Sequence, residues 1–156
     1  MRWALGALVL LGLVLGLAAV PSAQRPDSIA TDRPAAESPR FQAVDIYLDS
    51  ETPIAAYQLE VRVVTGDATI VGVEGGTAPL DTPPYYDPAA LAAGRIILAA
   101  FDTTATLPPG HHRIATVHFR EQGSPVTYHA ELTTAGDSDG RRCAATVSTE
   151  ARKGTP

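Results

Sequence analysis

The alternation of apolar and polar residues between positions 54 and 64 constrains the fold of this chain more than any other feature. Four apolar side chains alternate with three polar ones: Tyr57, Leu59, Val61 and Val63 against Gln58, Glu60 and Arg62. Successive side chains of a β-strand point to opposite faces, so this period places the apolar residues together. The segment is therefore predicted to be a strand with one buried face and one face in water.

The same alternation recurs along the chain, and segments rich in Gly and Pro separate the recurrences. Strands are predicted at residues 41–49, 54–64, 68–73, 95–101, 113–120 and 126–132, with at most one short edge strand near 143–147. Thirteen Gly and thirteen Pro among 156 residues exclude a coiled coil or a helical bundle, which need long runs without helix breakers. The predicted fold class is all-β, a two-sheet antiparallel β-sandwich.

Turn residues suggest how these strands connect. The first three strands are predicted to form an antiparallel meander, with a turn at 65–67. The apolar run at 95–101 is predicted to be covered on both faces. A single helical turn is expected where Asp87 precedes Pro88, because Asp is a good N-cap and Pro suits the first helical position.

A β-hairpin is predicted around Gly123 and Ser124, between the strands 113–120 and 126–132. This register pairs residues as follows: Phe119 with Tyr128, Val117 with Ala130 and, on the opposite face, His118 with His129. Two imidazoles on neighbouring strands can share a transition metal such as Zn or Cu. The alternative interpretation of the two histidines is an ordinary wet sheet face.

The N-terminal residues 1–23 are typical of a signal peptide: Arg2 precedes an apolar stretch from Ala4 to Val20, and small residues follow at 21–23. An uncleaved N-terminal anchor is the alternative. The predicted location of the product is secreted, periplasmic or at the cell surface. The remaining chain divides into a disordered linker at 24–40, a domain at 41–148 and a disordered tail at 149–156.

The charge balance argues against a nucleic-acid partner. Twelve basic and 17 acidic residues give a net charge of -5, and no run rich in Lys and Arg is present. Cys143 is the only cysteine, so no intramolecular disulfide can form. It is either a free thiol or a link to another chain.

Three segments together resemble the cohesin domain, a jelly-roll sandwich related to cellulose-binding modules. They are VDIYLDSETPIAAYQLEVRVV at 44–64, GRIILAAFD at 94–102 and PPGHHRIATVHFR at 108–120. The resemblance covers residues 44–132 and consists of core and turn positions. It implies a jelly-roll-like fold that binds a polysaccharide or a protein partner through one sheet face. No contact residues are transferred from the family.

Tyr85 and Tyr86 are the predicted ligand-binding residues, because two tyrosines among prolines can present a flat aromatic patch to sugar rings or to a partner's apolar side chains. The alternative is that one or both cover the edge of the core. Carboxylates at strand ends and in loops are candidates for calcium or for ordinary turn roles: Asp45, Asp49, Glu51, Asp102 and the segment 137–140.

No nucleophile, zinc or phosphate-loop motif of a known enzyme class is present. The predicted function is therefore a secreted, non-catalytic binding module that recognises a polysaccharide or an extracellular protein. The alternatives are an exported metal-binding protein using His118 and His129, or a small glycan hydrolase whose two carboxylates meet only in the folded chain.

Overall fold

A computed structural model of the chain describes residues 38–102 and 106–153. These residues form one antiparallel sheet of five strands in the order β3-β2-β4-β1-β5. The strands are β1 Arg40–Ser50, β2 Ala56–Gly75, β3 Arg95–Phe101, β4 Gly110–Gly136 and β5 Ala145–Ala151. The all-β, antiparallel class predicted from the sequence is confirmed. No helix in the described ranges is long and apolar enough to cross a membrane.

The two longest strands, β2 and β4, pair with each other over nearly their whole length. Their register shifts at four places, and the largest shift follows Thr65: Thr65 lies opposite Thr127, whereas Asp67 lies opposite Gln122. Only Gly66 separates the two pairs on β2, while residues 123–126 separate them on β4. Gly66 has a φ of +86°, a conformation that glycine adopts without strain. The irregular residue of β2, Gly66, and the irregular segment of β4, residues 123–126, therefore lie at the same point of the sheet.

This irregularity divides the sheet into two parts. We call β3 with residues 56–65 and 127–136 the β3 half, and β1 and β5 with residues 67–75 and 110–122 the β1 half. Strands of both halves contribute to a single buried cluster of apolar side chains.

Side chains from the two halves touch each other inside this cluster. The hydroxyl of Tyr57, in the β3 half, donates a hydrogen bond of 3.2 Å to the carbonyl oxygen of Ile114 in the β1 half. The rings of Phe119 and Tyr128 lie 4.4 Å apart between their centroids. The inner faces of the two halves are thus buried against each other, which removes their apolar side chains from water.

The predicted meander and hairpin are wrong, although the strand positions agree closely. β1 pairs with β4 and β5 and not with β2, and the two parts of β4 pair with β2 and not with each other. Phe119 lies opposite Ile70, and Tyr128 lies opposite Val63. Residues 65–67 and 123–126 therefore bend continuous strands instead of reversing them. The predicted ring contact of Phe119 with Tyr128 nevertheless forms, because the bend brings the halves together.

Strand β3 has the predicted bounds, but the prediction that both of its faces are covered is wrong. Ile96 and Leu98 are buried, whereas Ile97 and Phe101 are exposed. β3 lies at the edge of the sheet, and no second layer of strands among the described residues covers its outer face. The predicted turn after Asp87 is confirmed as a 3₁₀ turn at Pro88–Ala90, where the Asp87 carboxylate accepts a hydrogen bond from the Ala89 N–H.

The edges of the ordered domain differ from the prediction. Strand β1 begins at Arg40, inside the predicted linker, and β5 continues to Ala151, three residues past the predicted domain end at Ser148. The predicted edge position of a strand near 143–147 is confirmed. The predicted signal peptide at 1–23 and most of the linker at 24–40 lie outside the described residues.

Arg152, just after β5, ties the C-terminal strand to a buried carboxylate. Its guanidinium donates a hydrogen bond of 2.8 Å to Asp45, and the hydroxyl of Thr116 donates another of 2.6 Å. Burial alone would raise the pKa of Asp45, but the hydrogen bonds from Arg152 and Thr116 and the charges of Arg152 and Arg113 hold it below its ordinary value of 3.8. The ionised form of Asp45 therefore stabilises the fold.

Replacing Gly66 tests the bend. Ala at this position must adopt a positive φ, and its Cβ would lie 2.9 Å from the Cγ2 of Val126. We expect Gly66→Ala to lower the free energy of unfolding by about 1–3 kcal/mol, measured by denaturant titration. Gly72→Ala is the matched control, because its Cβ meets nothing within 4 Å, and we expect a change within about 0.5 kcal/mol. Equal effects of the two substitutions would contradict the role given to Gly66.

The low pKa of Asp45 predicts a loss of stability in acid. A depressed pKa means that the stabilisation is present above the unfolded-state value near 3.8 and is lost as the pH falls through the folded-state value. Asp45→Asn should remove this part of the pH dependence and lower the unfolding free energy at neutral pH by about 2 kcal/mol. The loss is smaller than that for a fully buried ion pair, because Arg152 is only partly buried. The exposed neighbour variant Glu150→Gln should retain the acid transition, as followed by circular dichroism.

Candidate functional site

Two exposed aromatic side chains lie together at the β3 edge of the sheet. Tyr85 is 70% exposed and Phe101 is 67% exposed, and their rings stack with centroids 6.0 Å apart and planes 17° from parallel. Large apolar side chains in this degree of contact with water are unfavourable for an isolated domain when they cluster. This aromatic pair, Tyr85 and Phe101, is the first part of the candidate site.

Hydrogen bonds fix the backbone that carries the Tyr85 ring. The N–H of Tyr85 donates to the carbonyl of Ala99 at 2.7 Å, and the N–H of Ala99 donates back at 2.9 Å. These two bonds pair Tyr85 with Ala99 at the edge of β3. Phe101 follows Ala99 by two residues and lies on the same face. Pro83 and Pro84 precede this bridge and restrict the segment to extended conformations. The backbone positions that carry the aromatic pair are therefore set before any ligand binds.

The two predicted ligand-binding tyrosines have different environments. Tyr86 is half-buried and packs against the core, whereas Tyr85 is exposed. Neighbouring residues of an extended segment point to opposite sides, so one ring is directed to the core and the other to water. The structure thus separates Tyr85 from Tyr86 and places Phe101, which the sequence prediction assigned to a fully covered strand, beside Tyr85.

A groove of about 450 Å³ adjoins Phe101 on the outer face of the β3 half. Two rows of cross-strand neighbours line it: Ala99, Gln58 and Thr134 in one row, and Phe101, Ala56 and Gly136 in the next. Ala56 and Ala99 leave room above the sheet, while Gln58 and Thr134 offer hydrogen-bond donors and acceptors.

Arg142 also lines the groove. It lies opposite Gly136 in an isolated bridge, in the loop between β4 and β5. The sequence prediction assigned no role to this residue, because its position beside Gly136 depends on a loop conformation that strand patterns do not determine. The candidate site thus combines an aromatic pair, a floor of small residues with two polar side chains, and a guanidinium group.

An ion pair lies next to the groove on the same face. Arg95 donates a hydrogen bond of 2.6 Å to Glu60, and this hydrogen bond lowers the pKa of Glu60. Glu60 is the cross-strand neighbour of Ile97, whose side chain is 42% exposed. Charged and apolar groups therefore alternate beyond the groove along the outer face.

The two histidines proposed to share a metal lie in different halves of the sheet. His118 is opposite Gly72 in the β1 half, whereas His129 is opposite Arg62 in the β3 half. Their predicted pairing is wrong because it required the hairpin that the bend replaces. Nε2 of His118 lies 3.0 Å from Glu74, without the alignment of a hydrogen bond.

The structure likewise does not gather the proposed calcium ligands. Asp45 bonds to Arg152 and Thr116, while Asp137 accepts hydrogen bonds from backbone N–H groups of its own loop. Asp49 lies 3.5 Å from His111. Within residues 38–102 and 106–153, no three His, Cys, Asp or Glu side chains are grouped as metal ligands would be.

No family model, curated protein or solved structure matches the chain. The resemblance to cohesin domains therefore stays a prediction from the sequence. What the candidate site can do follows from its own geometry: it can stack a flat apolar surface on Tyr85 and Phe101 and hydrogen-bond polar groups above the groove.

If the aromatic pair serves binding and not stability, its removal should have little effect on folding. We expect Phe101→Ala to change the free energy of unfolding by less than about 1 kcal/mol, since its ring is mainly in water. Phe119→Ala, which removes a fully buried ring, should cost about 3–5 kcal/mol. Thermal and denaturant unfolding of both variants would measure this contrast. A large loss of stability in Phe101→Ala would instead assign the ring to the core.

Proposed function

We propose that this chain is an exported, non-catalytic binding module that recognises a polysaccharide through the outer face of its β3 half. The observation that carries the proposal is the exposed stack of Tyr85 on Phe101 beside a groove that Gln58 and Thr134 help to line. A sugar ring has an apolar face of C–H groups and an edge of hydroxyl groups. The aromatic pair suits the face, and the side chains of Gln58 and Thr134 suit the edge.

The rigidity of the site supports this proposal. Tyr85 is fixed by two backbone hydrogen bonds to Ala99, and Phe101 is part of a strand. A ligand that docks on such a surface orders few side chains, so less of its interaction energy is lost to conformational entropy. The groove is also open and shallow, which suits one stretch of an extended polymer.

The residues of the groove favour binding over catalysis. Asp137 is the one acidic residue among its described lining residues, and it is engaged by Arg141 and by backbone N–H groups. Hydrolysis of a glycosidic bond ordinarily uses two carboxyl groups on either side of it. A surface that holds a glycan without cleaving it is consistent with this lining.

The broader context of the proposal comes from the sequence. The apolar stretch at 4–20 supports export, and the resemblance to cohesin and cellulose-binding domains supports recognition by a sheet face. The single bent sheet supports a sandwich-like, jelly-roll-like arrangement, because the core side chains of its two halves pack against each other. A protein partner is the competing ligand class.

Binding to polysaccharides tests the proposal directly. The full chain is screened on a glycan array and by co-sedimentation with insoluble polysaccharides, and we expect retention on at least one class. The double variant Tyr85→Ala/Phe101→Ala should weaken this binding by about tenfold or more, because each ring contributes stacking and apolar contact.

Phe41→Ala is the matched control, because Phe41 is 75% exposed and lies in the β1 half, away from the aromatic pair. Equal binding by the double variant and this control would show that the aromatic pair is not the contact surface. Capture of a protein partner in pull-downs, with no retention on any polysaccharide, would replace the glycan proposal with protein recognition.

A further inference from the structure

The groove contains a cation that the folded chain leaves unused. Most described arginines have an ion pair or hydrogen bond within the protein: Arg40, Arg62, Arg95, Arg113, Arg141 and Arg152. Among the arginines in the described ranges, only Arg120 and Arg142 have neither. Arg142 lines the groove beside the aromatic pair, whereas Arg120 lies on β4 in the β1 half.

The backbone on both sides of Arg142 is anchored. Arg142 lies opposite Gly136 in a β-bridge, and the N–H of the next residue, Cys143, donates to the carbonyl of Ala135 at 2.9 Å. The guanidinium group is therefore attached at a fixed point of the groove wall. Such a group can meet a ligand without a rearrangement of the loop.

The acidic residue that lines the groove with Arg142, Asp137, is paired elsewhere. One oxygen of Asp137 accepts backbone N–H bonds from Asp139 and Arg141, at 2.9 and 2.8 Å, and the other lies 3.4 Å from the guanidinium of Arg141. Asp137 is thus compensated by its own loop. The positive charge of Arg142 remains for a ligand.

We propose that the groove selects polysaccharides that carry carboxylate groups, such as uronic acid polymers, and that Arg142 binds the carboxylate. This inference rests on the proposed function. A guanidinium can hold a carboxylate with two parallel hydrogen bonds, a geometry that a neutral hydroxyl does not match. Sugar rings next to the acid would stack on Phe101 and Tyr85.

The charge of the whole chain restricts where such a polymer binds. The net charge is -5, so the chain as a whole repels a polyanion. Attachment through an unpaired arginine in the groove overcomes this repulsion at one place. Specificity for the acidic ligand then comes from Arg142 and not from a general basic surface.

The test compares polygalacturonate with the same polymer after chemical reduction of its carboxyl groups, using the full chain in affinity electrophoresis and calorimetry. We expect the unmodified chain to bind the acidic form about tenfold more tightly or better. Arg142→Gln should lose this preference. Arg120→Gln, which removes the same charge from the other unpaired arginine, should retain it.

Each other outcome is decisive. Equal affinity for the two polymers, or an equal preference in Arg142→Gln and Arg120→Gln, overturns the inference. If the unmodified chain still binds neutral polymers and the Tyr85→Ala/Phe101→Ala variant does not, the proposed function stands without the inference about Arg142. Absence of binding to every polysaccharide overturns the proposed function itself. Polyglutamate binding as tight as polygalacturonate would show that Arg142 recognises charge without sugar, which overturns the glycan assignment.

Discussion

The coincident irregularity in the two longest strands is the constraint on which the rest of the structure depends. β2 passes it with the single residue Gly66, and β4 passes it with residues 123–126. Because both strands continue beyond it, their backbone groups remain paired on each side, and no edge is created in the middle of the sheet. The irregularity also brings the two inner faces into one buried cluster. A small chain with a lone cysteine thereby builds its core without a disulfide.

This arrangement determines which surfaces remain available. The inner faces are buried in the core, so a ligand can bind only to the two outer faces and the edges. On the β3 half, the small side chains of Ala56 and Ala99 leave a depression over the strands. The bridge from Tyr85 to Ala99 extends that face by one residue and places an aromatic ring at its border. The candidate site is thus a consequence of side-chain size and edge pairing on rigid strands.

The sequence predicts the strands well because alternation is a local property. Residues 95–101 and the strand after Arg40 have nearly the predicted bounds. Pairing is not local: Gly and Pro at 66 and 123–125 are equally compatible with a reversal and with a bend in a continuing strand. The prediction of the site is limited in the same way, because the site also depends on non-local contacts. The aromatic and proline context predicts Tyr85, whereas the sequence predicts a covered strand for Phe101 and an irregular segment for Arg142.

The two outer faces differ in a way that favours the β3 half as the binding surface. On the β1 half, Asp45, Thr116, Arg113 and Arg152 bond to one another or to backbone carbonyls, so these four side chains are already engaged within the fold. Removing those bonds to accept a ligand would expose a buried charge. On the β3 half, the aromatic rings and the guanidinium of Arg142 have no comparable role in folding. Groups that a fold exposes, anchors and leaves unpaired contribute most when a ligand completes them.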